Sequence, residues 1–211
     1  MTAETQRRKR MSAATRRASI EAAATDVFAE RGYRGASIDE IARRSGVTPP
    51  VLYDHFSSKQ NLYRSLLERH FAELRQVWRE NFVGEAPARE RVARSVDAWF
   101  AYIEAHPFAG RMLFRDTSGD PEVAALHERV AAGSRTAVMR IFAAEPGATG
   151  LGGSSSDVGL EMSWVVLRGV LQGLAIWWVD HPEVPRRQVV ATAMNGLWLG
   201  LERVQHGETW G

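Results

Sequence analysis

The sequence predicts an all-α protein, a small helix-turn-helix head followed by a larger helical bundle, with about nine helices in total. Three observations carry this. Apolar residues recur at spacings of three and four along most of the chain, the period of one helix face. No run between turn signals alternates with the period of two that marks a half-buried strand. Charge is also divided: residues 1–70 hold 13 Lys+Arg against 8 Asp+Glu, whereas residues 71–211 hold 14 against 17. A basic head on a near-neutral body suits a protein that meets nucleic acid at one end.

Residues 1–11 are polar and basic, with Arg7, Arg8, Lys9 and Arg10 in a run. This composition predicts a disordered arm able to reach DNA phosphates or a minor groove. The first helix is expected from about Ser12 to Arg31, with Ile20, Ala24, Val27 and Phe28 inward and Gly32 as its stop. Arg16 and Arg17, near its start, are candidates for phosphate contact. At Ser37 a capping box begins, Ser37 with Glu40, and a short helix follows with Ile38, Ile41 and Ala42 on one face. Gly46 is placed to end it in the left-handed conformation, and Val47 to fill the turn. Thr48 is the expected cap of the next helix. Pro49 takes its first position, where a missing N–H costs nothing. That helix, Pro49 to His55, turns Val51 and Leu52 inward. The layout over 37–56 is a helix-turn-helix, whose second helix enters the DNA major groove.

A fourth helix is expected from Ser57 or Ser58, with Ser57 and Gln60 as one capping box. It continues through Leu62, Leu66, Phe71, Leu74 and Trp78 to about Phe82. Ala88–Ala105 is next, stopped by His106-Pro107, and Phe108–Phe114 follows as a short apolar helix. Asp116–Asp120 is a loop, and Asp120 with Pro121 opens a helix running to about Glu145. Pro146–Ser156 has the Gly/Ser composition of a flexible link. Two helices close the chain, about Asp157–Val179 and Pro185–Gln205.

Ile41-Ala42, Gly46-Val47, Leu52-Tyr53, Phe56 and Ser58-Lys59, with Ala29–Tyr33 (AERGY) upstream and Leu62 downstream, resemble the DNA-binding domain of TetR-family transcriptional regulators. The match covers residues 14–66, and the remainder agrees in layout. The resemblance implies a DNA-binding domain over 12–66 and a ligand-binding and dimerisation domain over 67–211. It implies a reading surface of Thr48, Pro49, Pro50, Tyr53, Asp54 and His55, with Ser37, Tyr53 and Lys59 holding phosphates. The chemistry agrees, since hydroxyls and an ammonium suit phosphate oxygens. The chain has 25 arginines and two lysines, so a lysine at position 59 points to a need for a compact ammonium. Many relatives carry a base-reading cation near Pro49-Pro50. Here the pair offers apolar surface, suited to a thymine methyl. Part of the specificity is therefore expected from DNA shape or from the arm.

The last two helices hold Gly169-x-x-x-Gly173 and Gly196-x-x-x-Gly200. Glycines four apart share a face and allow close backbone approach. Met162, Val166 and Trp177 flank the first pair, and Val190, Met194, Leu197 and Leu201 accompany the second. The family's subunits pair through these two helices, so a homodimer is expected, with a near-palindromic operator and half-sites ~34–36 Å apart or a multiple of it. A ligand cavity is sought among Trp99, Ile103, Phe108, Met112, Phe142, Trp164 and Leu171, with Arg168 among the polar groups near it. If Arg168 is buried, it requires an acid such as Glu161, or an anionic ligand.

Other classes are disfavoured. The chain has no cysteine, hence no thiolate metal site or disulfide. No hydrolase, zinc-protease, P-loop or dinucleotide motif is present. The six histidines are scattered, so no metal or other cofactor is expected, and apart from His55 they are read as surface or capping residues. The most apolar stretch, Trp164–Val179, contains Arg168 and Gln172 and falls short of the ~20 residues that cross a bilayer. No apolar run follows the basic residues 7–10, so no leader is expected and a cytoplasmic location is. The function expected is that of a repressor released by a small apolar or aromatic effector. Alternatives are an activating or effector-independent DNA binder, and, less well supported, a helical enzyme using the same cavity.

Overall fold

The structure is a computed structural model and describes residues 12–114, 121–143 and 157–205. Among these residues it contains nine helices and no strand: α1 Ala13–Gly35, α2 Ile38–Ser45, α3 Pro49–His55, α4 Lys59–Asn81, α5 Ala88–Ala105, α6 Pro107–Phe114, α7 Pro121–Ala143, α8 Asp157–Val179 and α9 Arg186–Gln205. The all-α class predicted from periodicity is the class observed. The chain divides into two compact units, Met1–Leu66 and Leu67–Gly211, and the division falls inside α4.

In the first unit, Ser12 caps α1 by accepting from the Thr15 amide. Gly32, at φ 66°, breaks the helix where the sequence placed its end. One further turn then carries the chain to Gly35. Ile20, Ala24, Val27 and Phe28 of α1 are buried, as are Ile41 and Ala42 of α2, Leu52 of α3 and Phe56. Tyr63 of α4 meets the Phe28 ring edge-on at 4.8 Å. Residues near the start of α1 also satisfy carbonyls at the ends of the next two helices. Ser19 Oγ donates to the Ser45 carbonyl, and Arg17 donates to the His55 carbonyl while its guanidinium lies over the Phe56 ring. These bonds answer the open carbonyls that every helix C-terminus leaves.

Some local expectations are corrected. Ser37 Oγ accepts from the Glu40 amide, but the Glu40 carboxylate is held by Arg31 and Arg44, which leaves the capping box half made. Arg44 forks onto Glu30 as well, at 2.9 and 2.7 Å, so the network staples α1 to α2. Hydrogen bonding to Arg44, first, and the charge of Arg31 hold Glu40 below the usual carboxylate range. Thr48 has the extended backbone of an N-cap, yet its hydroxyl caps nothing. Prolines occupy the first two helical positions and lack N–H groups, leaving few amides to cap. Val47 and Val51 are half-buried rather than buried. Ser58, not Ser57, caps α4, accepting from the Asn61 amide.

In the second unit, α5 packs on α9 and α6, and α8 packs on α6, α7 and α9. Val92, Val96, Trp99, Phe100 and Ile103 bury one face of α5. Arg186 ties the start of α9 to α5 through Asp97 at 3.0 Å and through Glu104. The indole N–H of Trp178 donates to the Val184 carbonyl and closes the α8–α9 turn. Asp120 and the Pro146–Ser156 link lie outside the described residues.

Candidate nucleic-acid interface and effector cleft

Gly46 ends α2 at φ 71°, a conformation a side chain strains to adopt. The sharp turn this allows sets α3 beside α2. Of the seven residues of α3, only Leu52 is buried. Its burial presses one side of the helix into the unit and leaves the other outward. Thr48, Pro50, Tyr53 and Asp54 are exposed, Tyr53 by 51%, while Pro49 and His55 are half-exposed. Ser37 is exposed at the start of α2, and Arg16 is half-buried on α1. The Arg16 Nε has no hydrogen-bond partner among the described residues.

Lys59 is more constrained than its proposed role suggests. Its ammonium donates to the Ala36 carbonyl at 3.0 Å and lies 4.5 Å from the centre of the Tyr33 ring. It therefore ties the first turn of α4 to the α1–α2 link, which gives a single rigid cation a second reason to be lysine. A compact ammonium fits a carbonyl and a ring face together, where a planar guanidinium would not.

The second unit holds a cleft of about 560 Å³, part of it open to solvent. Phe71, Leu74, Arg75 and Trp78 line it from α4, and Trp99 and Phe114 from α5 and α6. α8 supplies Trp164, Leu167, Arg168, Leu171 and Gln172, a set at helical spacing that forms one face. Of the residues expected there, Trp99, Trp164, Arg168 and Leu171 line the cleft. Ile103 and Met112 do not: both are buried in the core beside it. The side chains of Phe108 and Phe142 lie outside the described residues. Sequence reasoning missed the four α4 residues. Phe71, Leu74 and Trp78 belong to the expected apolar stripe of the connecting helix, whose spacing was the available signal; Arg75 is not part of that stripe.

The opposite face of α8 is apolar and exposed. Met162 is 57% exposed, Val166 59% and Trp177 44%. Gly169 and Gly173 lie between them, and a Cβ added at either would meet nothing within 4 Å. On α9, Val190 and Met194 are half-buried, whereas Leu197 is buried within the subunit. Leu197, expected at the interface, thus packs inward: three residues past Met194, it falls on the face α9 turns to its own subunit. The side chain of Leu201 lies outside the described residues.

One histidine departs from the expected surface or capping role. His70 is buried. Tyr102 donates to Glu73 at 2.6 Å, so the 2.6 Å contact of its oxygen with His70 Nδ1 requires that nitrogen to carry the hydrogen. His106 stacks on Tyr102, 4.3 Å between centroids. Burial chiefly, then the charge of Arg69, pushes the His70 pKa down to about 4 despite Glu73, and His106 adds to the fall. The native fold holds the neutral ring, while the unfolded chain takes a proton near pH ~6.5. The group's contribution to stability is therefore complete above ~6.5 and is lost as pH falls toward about 4. Thermal melts of wild type and His70→Gln from neutral to acid pH should show it. Wild type should lose on the order of 2–3 kcal/mol more than the variant over that window; parallel curves would refute it.

Among the described residues no group of three or more His, Asp or Glu is placed to hold a metal, and no helix is long and apolar enough to cross a membrane.

An outward α3 on a helix-turn-helix, followed by a helical unit with a cleft, defines a DNA-binding regulator of the helix-turn-helix class. Residues 20–66 match the family model of the bacterial regulatory proteins, tetR family. The chain is 33% identical over 196 residues to the HTH-type transcriptional activator FasR of Mycolicibacterium smegmatis, covering 90% of this chain and 84% of that one. It belongs to the TetR family, whose members are transcriptional regulators and not enzymes. The fold is shared with the fatty acid degradation regulator FadR of Bacillus halodurans, at TM-score 0.74 and 19% identity over 90% of this chain and 96% of that one. FadR of Bacillus subtilis, solved in complex with stearoyl-CoA, superposes at 0.71 and 18% identity over 87% and 96%.

Proposed function

We propose that the protein binds a near-palindromic operator as a homodimer and that a small, largely apolar effector in the α4–α5–α6–α8 cleft alters that binding. The exposure of α3 around a single buried anchor, Leu52, carries the DNA part. The glycine-notched apolar face of α8 supports the homodimer, because a monomer rarely leaves such a patch in water. The aromatic walls of the cleft support an apolar effector or effector tail, and Bacillus subtilis FadR, which shares the fold, is solved in complex with stearoyl-CoA, a molecule with a long apolar chain. Repression follows if the operator overlaps the promoter. The name of the Mycolicibacterium smegmatis relative favours a second reading, in which the bound dimer activates. Transcription in vitro from a promoter carrying the selected operator separates the two.

Selection of random duplexes followed by salt titration tests DNA binding. Contact with Z phosphates gives a log–log slope of about −0.9Z, and a protein with no preferred duplex would overturn the proposal. Lys59→Gln is expected to reduce that slope by roughly one, alike on every sequence. An unchanged slope with a lowered melting temperature would leave Lys59 only its tie to Ala36.

A further inference from the structure

Among the lining residues of the cleft are two guanidinium groups, Arg75 and Arg168, one primary amide, Gln172, and no carboxylate. Glu161, the acid that the sequence offered to Arg168, is taken by Arg135 at 2.7 Å. Among the described residues Arg168 meets no carboxylate, although it is half-buried beside Trp164, Leu167 and Leu171. A guanidinium partly stripped of water and without a counter-charge is costly. Gln172 lies one helical turn beyond Arg168 and borders the same space, so its N–H₂ is a second donor at the same end of the α8 face.

We infer that the ligand of this cleft is an amphipathic anion, an apolar tail among the tryptophans and leucines with its carboxylate or phosphate oxygens on Arg168 and Gln172. This deepens the effector reading above and rests on it. The planar fork of arginine pairs with two oxygens of one anionic group. A neutral tail of equal length leaves the charge uncompensated, and a cationic one is repelled. Arg168 is therefore the residue that sets head-group specificity, while the aromatic walls set tail specificity. A free carboxylic acid and a phosphate-bearing amphiphile share this chemistry.

Calorimetric titration of the full-length protein with dodecanoate, dodecyl phosphate, dodecanol and dodecyltrimethylammonium, each below its micelle concentration or, for the alcohol, its solubility limit, tests it. At least one anion is expected to bind at least about tenfold tighter than the alcohol, the effect of a charge-assisted hydrogen bond, and the ammonium to bind weakest. Which anion binds tighter distinguishes the two sources. Arg168→Gln should remove the anion preference, bringing the affinity for the anion down to that for dodecanol. Arg168→Lys should keep part of it, and the wild-type series stands by itself if Arg168→Gln fails to fold. Equal binding of anion and alcohol, or a preference that survives in folded Arg168→Gln, overturns this inference and leaves the apolar-effector reading intact. No binding by any probe overturns both.

Discussion

Gly169→Leu is expected to convert the dimer to monomers and to lower operator affinity by at least about 100-fold, because two linked heads gain that much over one. The subunit itself should not suffer. A Cβ at Gly169 meets nothing within 4 Å, and glycine costs ~0.8–1 kcal/mol against alanine inside a helix, most of which leucine recovers. The variant subunit is thus no less stable, yet four further heavy atoms stand where a second α8 would approach in the proposed homodimer. Gly173→Leu, one turn away on the same face, should act alike. A substitution at Gly133, also open but on α7, should leave both dimer and DNA binding unchanged. Sedimentation velocity reads the association state, and titration of a labelled operator reads the affinity. A Gly169→Leu protein that stays dimeric and binds DNA as wild type does would show that α8 does not pair the subunits.

The head was legible in the sequence because its signals are local. Gly46 and Pro49 fix a turn within a few residues, and helix period marks Ile41 and Leu52, both buried, though it also marks Val51, which is only half-buried. The cleft was only partly legible. Period tells which face of a helix turns inward, but not which inward residues border a void. Ile103 and Met112 share that inward character with Trp99 and prove to be core, while Phe71 and Trp78 of α4 border the space. His70 was out of reach for a related reason. Its partner Tyr102 is 32 residues away, and nothing near His70 announces the pairing that lets an imidazole be buried. Leu197 shows the same limit, for an apolar residue beside a glycine pair serves a partner subunit or its own core with equal periodicity.

Leu52→Ala should abolish specific DNA binding while the dimer persists. Leu52 is 0% exposed, and truncating a buried leucine costs ~2–5 kcal/mol in lost transfer and residual cavity. α3 has no other buried residue among its seven, and a helix shorter than ~12–15 residues is marginal in water without packing. The loss falls on an element with little else to hold it, so α3 should open locally while α1, α2 and α4 retain their own contacts. Tyr53→Ala on the next residue is the contrast. Its side chain is 51% exposed, so the fold should stand and affinity should fall by only about five- to tenfold, the worth of one hydrogen bond. Hydrogen exchange should show the α3 amides losing protection in Leu52→Ala alone, and the operator titration should rank wild type, Tyr53→Ala and Leu52→Ala in that order. Equal DNA binding by wild type and Leu52→Ala would mean that α3 is not the element that meets DNA.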